Sequence, residues 1–470
     1  MQTSNIASLK RTDQPAPERW VRSVSDLFFS TSDDVKTALA GLVATINLLV
    51  VWISLRPFSL STLNTEGVAQ PGGDLVNQIG FALIGGLSLT ALAALAPRHV
   101  VSRLFRPAHV LAAIVLVTSA IIAQSTGAAM RALIFSLIVV LGAATVMALP
   151  RSQDHLLRLL SRAVMLAVLF SLFAVFVLPE QGVHQAGSVE SQHAGLWRGV
   201  YDHKNIASAV MAVFAFAGLY LWRSEHRFLG ATIILLSMMF ITFSGSKTVL
   251  ILLPAIVLFC TFARYSRSQV AKYFWCLVPP IALFTFTAGA AISKQINEYV
   301  QWVSPGTTYT GRLDLWQFSV DRILERPLFG YGFESFWGTP LVKSIEQPIE
   351  LSWDVRDIVH AHNGYLDAAI SFGLIGLAVL LLVLIVLPVR DYVKTRQPAA
   401  QSHLSDFLLM VWMFCAMDAC LESFFLRRAD PVWFSMLLAI FGLRLLCALQ
   451  GAQNQDAKNQ RAFGKGGNSA

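Results

Sequence analysis

Charge is scarce in this chain. Of 470 residues only 14% are Asp, Glu, Lys or Arg, against roughly 25% in an average soluble domain. Cysteine is scarce as well: Cys260, Cys276, Cys415, Cys420 and Cys447 are all there is, with no C-x-x-C pair and no His at ligand spacing. Neither a disulfide framework nor a Cys/His zinc site is indicated, and the five read as small buried hydrophobes. Residues 1–36 are polar and hold no apolar core. No cleavable signal peptide is therefore expected, and the first apolar segment would act as an uncleaved anchor. No internal repeat is evident. What the chain has in excess is apolar side chains, 55% of the total, with a mean hydropathy of +0.58. They fall in long blocks that a soluble core could not bury. The fold class is all-α, a polytopic helical integral membrane protein.

A spanning helix needs about 20 mostly apolar residues. Twelve stretches qualify, near 37–56, 76–96, 108–124, 130–149, 162–179, 206–222, 228–243, 247–263, 271–291, 364–388, 404–420 and 431–449. They divide the chain into a cytoplasmic segment 1–36 and N-terminal spans 37–179. Then come spans 180–291 with a first periplasmic loop, a large periplasmic loop 292–363 and C-terminal spans 364–449. Residues 450–470, rich in Gly, Gln, Asn and Lys, read as a disordered cytoplasmic tail. The net charge of +8 fits topology rather than nucleic acid, because positive residues collect in cytoplasmic loops. With both termini inside, 23 of the 36 Lys and Arg face the cytoplasm. Six of the outer 13 sit in the one long loop, which is too long to count.

This topology isolates two outer segments, 180–205 and 292–363. A loop of the second length is usually functional or disordered, and its many aromatics argue against disorder. Within it, Leu313, Trp316, Val320, Ile323 and Leu324 fall at helical spacing. That predicts an amphipathic helix lying on the outer membrane surface. Pro327 would end it, and Gly330 and Gly332 mark a turn.

Candidate chemistry gathers at the outer mouths of spans. Arg198, Lys204, Lys247 and Arg312 are joined there by His184, His193, His203, His360 and His362. Cations at the low-dielectric boundary are costly unless they meet an anion, and Arg matches phosphate oxygens in bidentate fashion. A phosphate or diphosphate site follows as one reading of Arg198…His203-Lys204-Asn205, contact with lipid headgroups as the other. Ser244-Gly-Ser246-Lys247-Thr248 is not a P-loop, since Ser246 stands where Gly is required and no Gly lies five residues earlier. Lys247 is either a phosphate ligand or a snorkelling interfacial lysine. His360 and His362 are two apart and do not share a helix face, so a metal pair on a helix is not expected. Either could serve as a general base, or simply be satisfied by loop backbone.

At these residues the sequence resembles the O-antigen ligase/polymerase superfamily of bacterial envelope glycosyltransferases, and within it exopolysaccharide polymerases of the ExoQ type. Four pieces carry the resemblance: Arg198…His203-Lys204-Asn205; Ser244-Gly-Ser246-Lys247-Thr248; Gly311-Arg312-Leu-Asp-Leu-Trp316 with Pro327-Leu-Phe-Gly330-Tyr-Gly332; and His362-Asn363-Gly-Tyr365-Leu366 with Gly373-Leu-Ile-Gly376. The resemblance implies a glycosyltransferase C-like architecture in the bacterial inner membrane. It implies polymerisation of exopolysaccharide repeat units from a polyprenyl-diphosphate-linked oligosaccharide onto a growing polysaccharide, inverting, without metal or other cofactor. Other polysaccharide export proteins are implied partners, beside the bilayer itself.

Carried over by residue, Arg198 and Arg312 would hold the diphosphate and His362 would activate the acceptor hydroxyl. Lys247, His203, Lys204, Asn205, His360, Asn363 and Ser246 would line the substrate. One departure is Ser246-Lys247 where many relatives have Ser-Arg; lysine keeps the charge and loses the planar fork. The alternatives are a ligase that moves the finished glycan to another acceptor, and a flippase of the same lipid-linked sugar. A flippase would carry charged groups deep in several spans. Here most spans are clean, with Asp418 and Glu422 near the eleventh the exceptions.

Overall fold

The computed structural model describes residues 24–55, 57, 75–186, 191–307, 309, 311–345, 354–395 and 399–466. The chain begins with α1 (Val24–Ile53), α2 (Leu75–Ala94), α3 (Arg98–Leu104), α4 (Pro107–Ile121), α5 (Thr126–Ala148) and α6 (Gln153–Val177). A short α7 (Pro179–Gly182) leads into α8 (Lys204–Arg223), α9 (Arg227–Ser244), α10 (Lys247–Tyr265) and α11 (Gln269–Phe286). Between the last two groups of spans lie α12 (Ala288–Ile292), α13 (Lys294–Val303), α14 (Arg312–Glu325) and α15 (Pro340–Lys343). The chain ends with α16 (Gly364–Leu381), α17 (Leu387–Lys394), α18 (Ala399–Asp418) and α19 (Pro431–Gly466).

The architecture is all-helical and polytopic. Among the described residues nine helices are long and apolar enough to cross a membrane, ten if α3 and α4, bent by 62°, count as one span. Of the twelve expected stretches, 271–291 and 404–420 are helical without reaching that standard. The first breaks at Thr287, between α11 and α12. The tail differs from expectation. α19 runs on to Gly466 instead of stopping at 449. Ala, Gln, Lys and Arg beyond Gly451 are good helix formers, and an apolar helix already nucleated feeds into them. The five cysteines are free thiols, four of them buried.

α8, α18 and α19 form the centre, with Phe214, Phe216, Trp412, Phe414, Trp433 and Phe434 almost wholly enclosed. Outward faces of the peripheral helices carry Leu83, Ile114, Leu169, Leu235 and Ile251, all exposed and apolar, as lipid-facing surface requires. Two carboxylates inside the bundle are held in ion pairs. At the end of α8, α10 and the start of α18, Asp406 takes Arg264 and, at 3.6 Å, Arg223. Nearby, Asp391 takes Arg106. The candidate segments lie at the other end of these same helices.

One piece of long-range bracing explains two of the glycine motifs. α16 is broken at Gly373, where φ is 66° and ψ −176°. That region is open essentially to glycine alone. The freed carbonyls need donors, and the Pro327–Gly332 turn supplies them. Tyr331 N–H donates to Ile370 O at 2.8 Å and Gly332 N–H to Ser371 O at 3.1 Å, while Leu374 N–H returns to Pro327 O at 2.7 Å. A Cβ on Gly373 would stand 2.2 Å from Leu328 O. Gly373→Ala is therefore expected to destabilise the protein by at least about 1–3 kcal/mol from backbone strain alone, read as a lower unfolding temperature in detergent.

α14 is helical where its spacing predicts, but its apolar face does not lie on a membrane. Leu315, Trp316, Ser319 and Ile323 are buried, and Trp316 and Ile323 join Ala288, Tyr331, Phe336, Leu366 and Ile370 in a second core beside the main one. The reason is supply: the same loop brings its own aromatics, and α16 its N-terminal turns, to cover that face. Of the expected apolar positions only Leu324 stays exposed.

Candidate functional site

Local structure accounts for each motif first. In Ser244-Gly-Ser246-Lys247, Gly245 takes a left-handed φ of 67° and ends α9, as a C-terminal glycine does. Ser246 then stands at the N-terminal cap of α10, and Lys247, exposed, opens it. His203 caps α8: its Nδ1 accepts from Asn205 N–H at 3.1 Å. Asn363 caps α16 through its Oδ1, which accepts from Tyr365 and Leu366 N–H, both at 3.1 Å. Its Nδ2 donates to Cys420 O at 2.9 Å, and the residue is fully buried. Asn363 is thus a structural cap. Both polar atoms of its side chain have partners inside the fold, where a contact with sugar was expected.

The turn before α16 is held from three sides. Ala361 N–H donates to Asp367 Oδ1 at 3.0 Å, and Ala361 O accepts from Trp316 Nε1 at 3.0 Å. Trp337 Nε1 donates to the same Asp367 oxygen at 2.6 Å. Trp316 lies one helical turn after Arg312, so it fixes the histidine turn against the helix that carries the arginine. His362 has a left-handed φ of 49°, a costly conformation for a non-glycine residue. It persists because the flanking peptides are pinned. His360 does not point elsewhere, as expected of a helix already begun. The helix starts only at Gly364, and the two rings pack edge to face with centroids 4.2 Å apart.

The loop after α18 brings the element that spacing did not disclose. Glu422 Oε1 accepts from Arg312 Nη2 at 2.9 Å and from Asn205 Nδ2 at 2.8 Å. Its Oε2 lies 3.1 Å from His362 Nδ1. Arg312 Nη1 also donates to Leu421 O. One carboxylate therefore joins three of the four motif segments. All three partners are partly buried, with 32% of the His362 side chain still open. Burial alone would raise the Glu422 pKa, but the Arg312 guanidinium and the hydrogen bond with His362 outweigh it. They hold the carboxyl well below its ordinary range. His360 is shifted the other way. Enclosure away from water, and then the neighbouring His362, push it well below 6.5.

These shifts predict an acid sensitivity. In the unfolded chain His360 takes a proton below about 6.5, and in the folded one it does not. The folded state then binds fewer protons, so stability falls as pH drops below that value. Glu422 adds a second loss at lower pH, since the stability a depressed carboxyl contributes is full above its unfolded pKa and is lost as pH falls toward its folded one. Melting curves between pH 8 and pH 5 should show the decline, and His360→Gln should flatten its upper part.

Arg198 sits apart from this carboxylate. Its Nε donates to Gln181 O at 2.8 Å and its Nη1 to Asp202 O at 3.3 Å. It is bound within its own loop, and the link to Arg312 runs through Asn205 and Glu422 rather than through a shared contact. That loop closes on itself through His184, His193 and His203, whose ring centroids are 5.3–5.7 Å apart. Lys204 N–H donates to His184 Nε2 at 3.2 Å. Among the described residues no group of three or more His, Cys, Asp or Glu is arranged to hold a metal ion. The loop also touches the end of α9 that leads into Ser246-Lys247, since Trp197 N–H donates to Phe243 O at 3.1 Å and Trp197 stacks on the Phe243 ring. All four motifs therefore meet at one end of the bundle.

Residues 204–381 match the family described as O-antigen ligase. Over 79 residues the chain is also 33% identical to the exopolysaccharide production protein ExoQ of Rhizobium meliloti (strain 1021), which covers 17% of this chain and 18% of that protein. The chain thus aligns with under a fifth of that relative's length. Both findings bear out the resemblance read from the four motifs. The O-antigen ligase region takes in Lys204, Asn205, Ser246, Lys247, Arg312, His360, His362 and Asn363. Arg198, His203 and Glu422 lie outside it, so Glu422 enters the site on geometry alone. Its signal in the sequence was a carboxylate just past a span, at the end where the cations collect.

Proposed function

We propose that the protein is a membrane glycosyltransferase that extends an exopolysaccharide, transferring glycan from a polyprenyl-diphosphate donor with inversion at the sugar. One observation carries the reading: the Glu422 carboxylate engages His362 Nδ1 and Arg312 together. If His362 Nδ1 carries the ring proton and donates it to Glu422, the Nε2 lone pair is left free to act as a base. The acceptor hydroxyl then attacks the anomeric carbon and gives its proton to Nε2. The bond from that carbon to the diphosphate oxygen breaks, and its electron pair leaves with the diphosphate. Arg312 keeps guanidinium N–H groups beyond those spent on Glu422 and Leu421 O, and these would stabilise the charge that develops there. Lys247 and Arg198, on neighbouring turns, are the further cations of the same mouth.

The match to a family described as O-antigen ligase supports a second reading, transfer of a finished glycan to a different acceptor. The chemistry is the same and the acceptor differs. Purified protein incubated with a short polyprenyl-diphosphate oligosaccharide tests both. Lengthened glycan with released polyprenyl diphosphate supports the polymerase. Release only when a foreign acceptor is added supports the ligase, and no release in either case rejects glycosyl transfer. We place the site on the periplasmic face of the inner membrane, on the Lys and Arg asymmetry. A topology reporter fused at residue 340 should report the periplasm; a cytoplasmic signal would reverse the orientation.

A further inference from the structure

α13 was not anticipated, and it presents three distinct faces. Toward the protein it turns Val300, only 7% exposed. Toward another side it turns Lys294 and Glu298, an exposed pair at 3.9 Å. Between them run Tyr299, Trp302 and Val303, exposed by 52%, 76% and 60%. A contiguous apolar patch of this kind usually marks an interaction surface.

Continuity says what covers it. The Phe286 ring, at the last residue of α11, lies 5.8 Å from the Tyr299 ring, and Tyr299 lies 5.9 Å from Trp302. Phe286 ends a helix that also exposes Phe274, Val278 and Ile281. α11 packs along α10, which is long and apolar enough to span and exposes Ile251, Leu258 and Phe262. The stripe thus adjoins lipid-facing surface. Ten residues rise only about 15 Å, half of what a crossing needs, so α13 cannot span. Tyr and Trp are the residues that favour the headgroup level, where one end of the ring is wet and the other is not.

We infer that α13 is an in-plane anchor, seated on the headgroup layer of a phospholipid bilayer at the end of the bundle that holds Arg312. Short ties transmit that seat to the site. Gln301 Nε2 donates to Thr307 O at 2.8 Å, and Gly306 N–H to Gln301 Oε1 at 3.0 Å. The Tyr309 hydroxyl donates to Phe286 O, and the Tyr309 ring packs on Trp316. The start of α14 is therefore fastened both to α13 and to the end of α11. This inference concerns the bilayer and does not depend on glycosyl transfer.

Nitroxide labels at Trp302→Cys and Glu298→Cys, in protein reconstituted into phosphatidylethanolamine and phosphatidylglycerol nanodiscs, test it. Unsubstituted protein serves as the background for the native thiols. Position 302 should relax more with lipid-soluble oxygen, and position 298 more with a water-soluble nickel chelate. A label at 302 that answers the nickel chelate as strongly as 298 overturns the proposal. Should Trp302→Cys fail to fold, Tyr299→Cys carries the same comparison.

Discussion

His362→Ala should abolish polymer formation, by about 10²–10⁴-fold in rate, while the protein still inserts and still binds the lipid-linked donor. The argument is geometric before it is chemical. The ring is fixed by its Nδ1 contact with Glu422, by a backbone N–H that donates to His360 Nδ1 at 3.2 Å, and by the pinned Ala361 peptide. About a third of the side chain remains open, so a hydroxyl could approach within about 2.6–3.2 Å. His360 lacks these credentials, because its Nδ1 already accepts that backbone proton. His360→Ala should therefore be milder, acting through the packing of the turn. Single-turnover rates with labelled donor, beside a donor-binding measurement, separate the effects. Near-normal rates in His362→Ala would remove the general base and leave Arg312 and its neighbouring cations to act by electrostatics and positioning.

The sequence disclosed the parts of this molecule that repeat a simple pattern. Long apolar runs marked the spans, because a helix in lipid must be apolar along its length. Clustered cations marked the end of the bundle where the motifs meet. Three kinds of feature stayed hidden. The break in α16 falls inside an uninterrupted apolar run, and only the distant Pro327–Gly332 turn that satisfies its carbonyls explains Gly373. α13 is too short and too polar on one side to register as a membrane element, and its third face is visible only once Val300 is seen to point inward. The resemblance made Asn363 a ligand, yet its hydrogen bonds close on the start of α16 and on the loop after α18. Arg198 illustrates the same limit: its charge was legible, but its partners, two carbonyls of its own loop, were not.

Glu422 is where hidden connectivity carries the largest consequence after His362. Glu422→Gln preserves the shape, and the amide oxygen can still accept from Arg312 and Asn205. The amide nitrogen would then face His362 Nδ1. A donor there obliges Nδ1 to accept, which moves the ring proton to Nε2 and removes the lone pair that the acceptor hydroxyl needs. Loss of the correct tautomer in a comparable carboxylate–histidine pair costs about 10⁴-fold, and a drop of about 10²–10⁴ is expected here, with donor binding little changed. Glu422→Asp should recover part of the activity, since the charge returns at a shorter reach. The decisive measurement is the double variant. If Glu422 works through His362, then Glu422→Gln adds almost nothing once His362 is Ala, because residues that act as a unit are not additive. Multiplying losses would mean that the carboxylate acts instead through Arg312, by setting the guanidinium against the diphosphate. An unchanged rate in Glu422→Gln alone would make the contact with His362 a matter of packing.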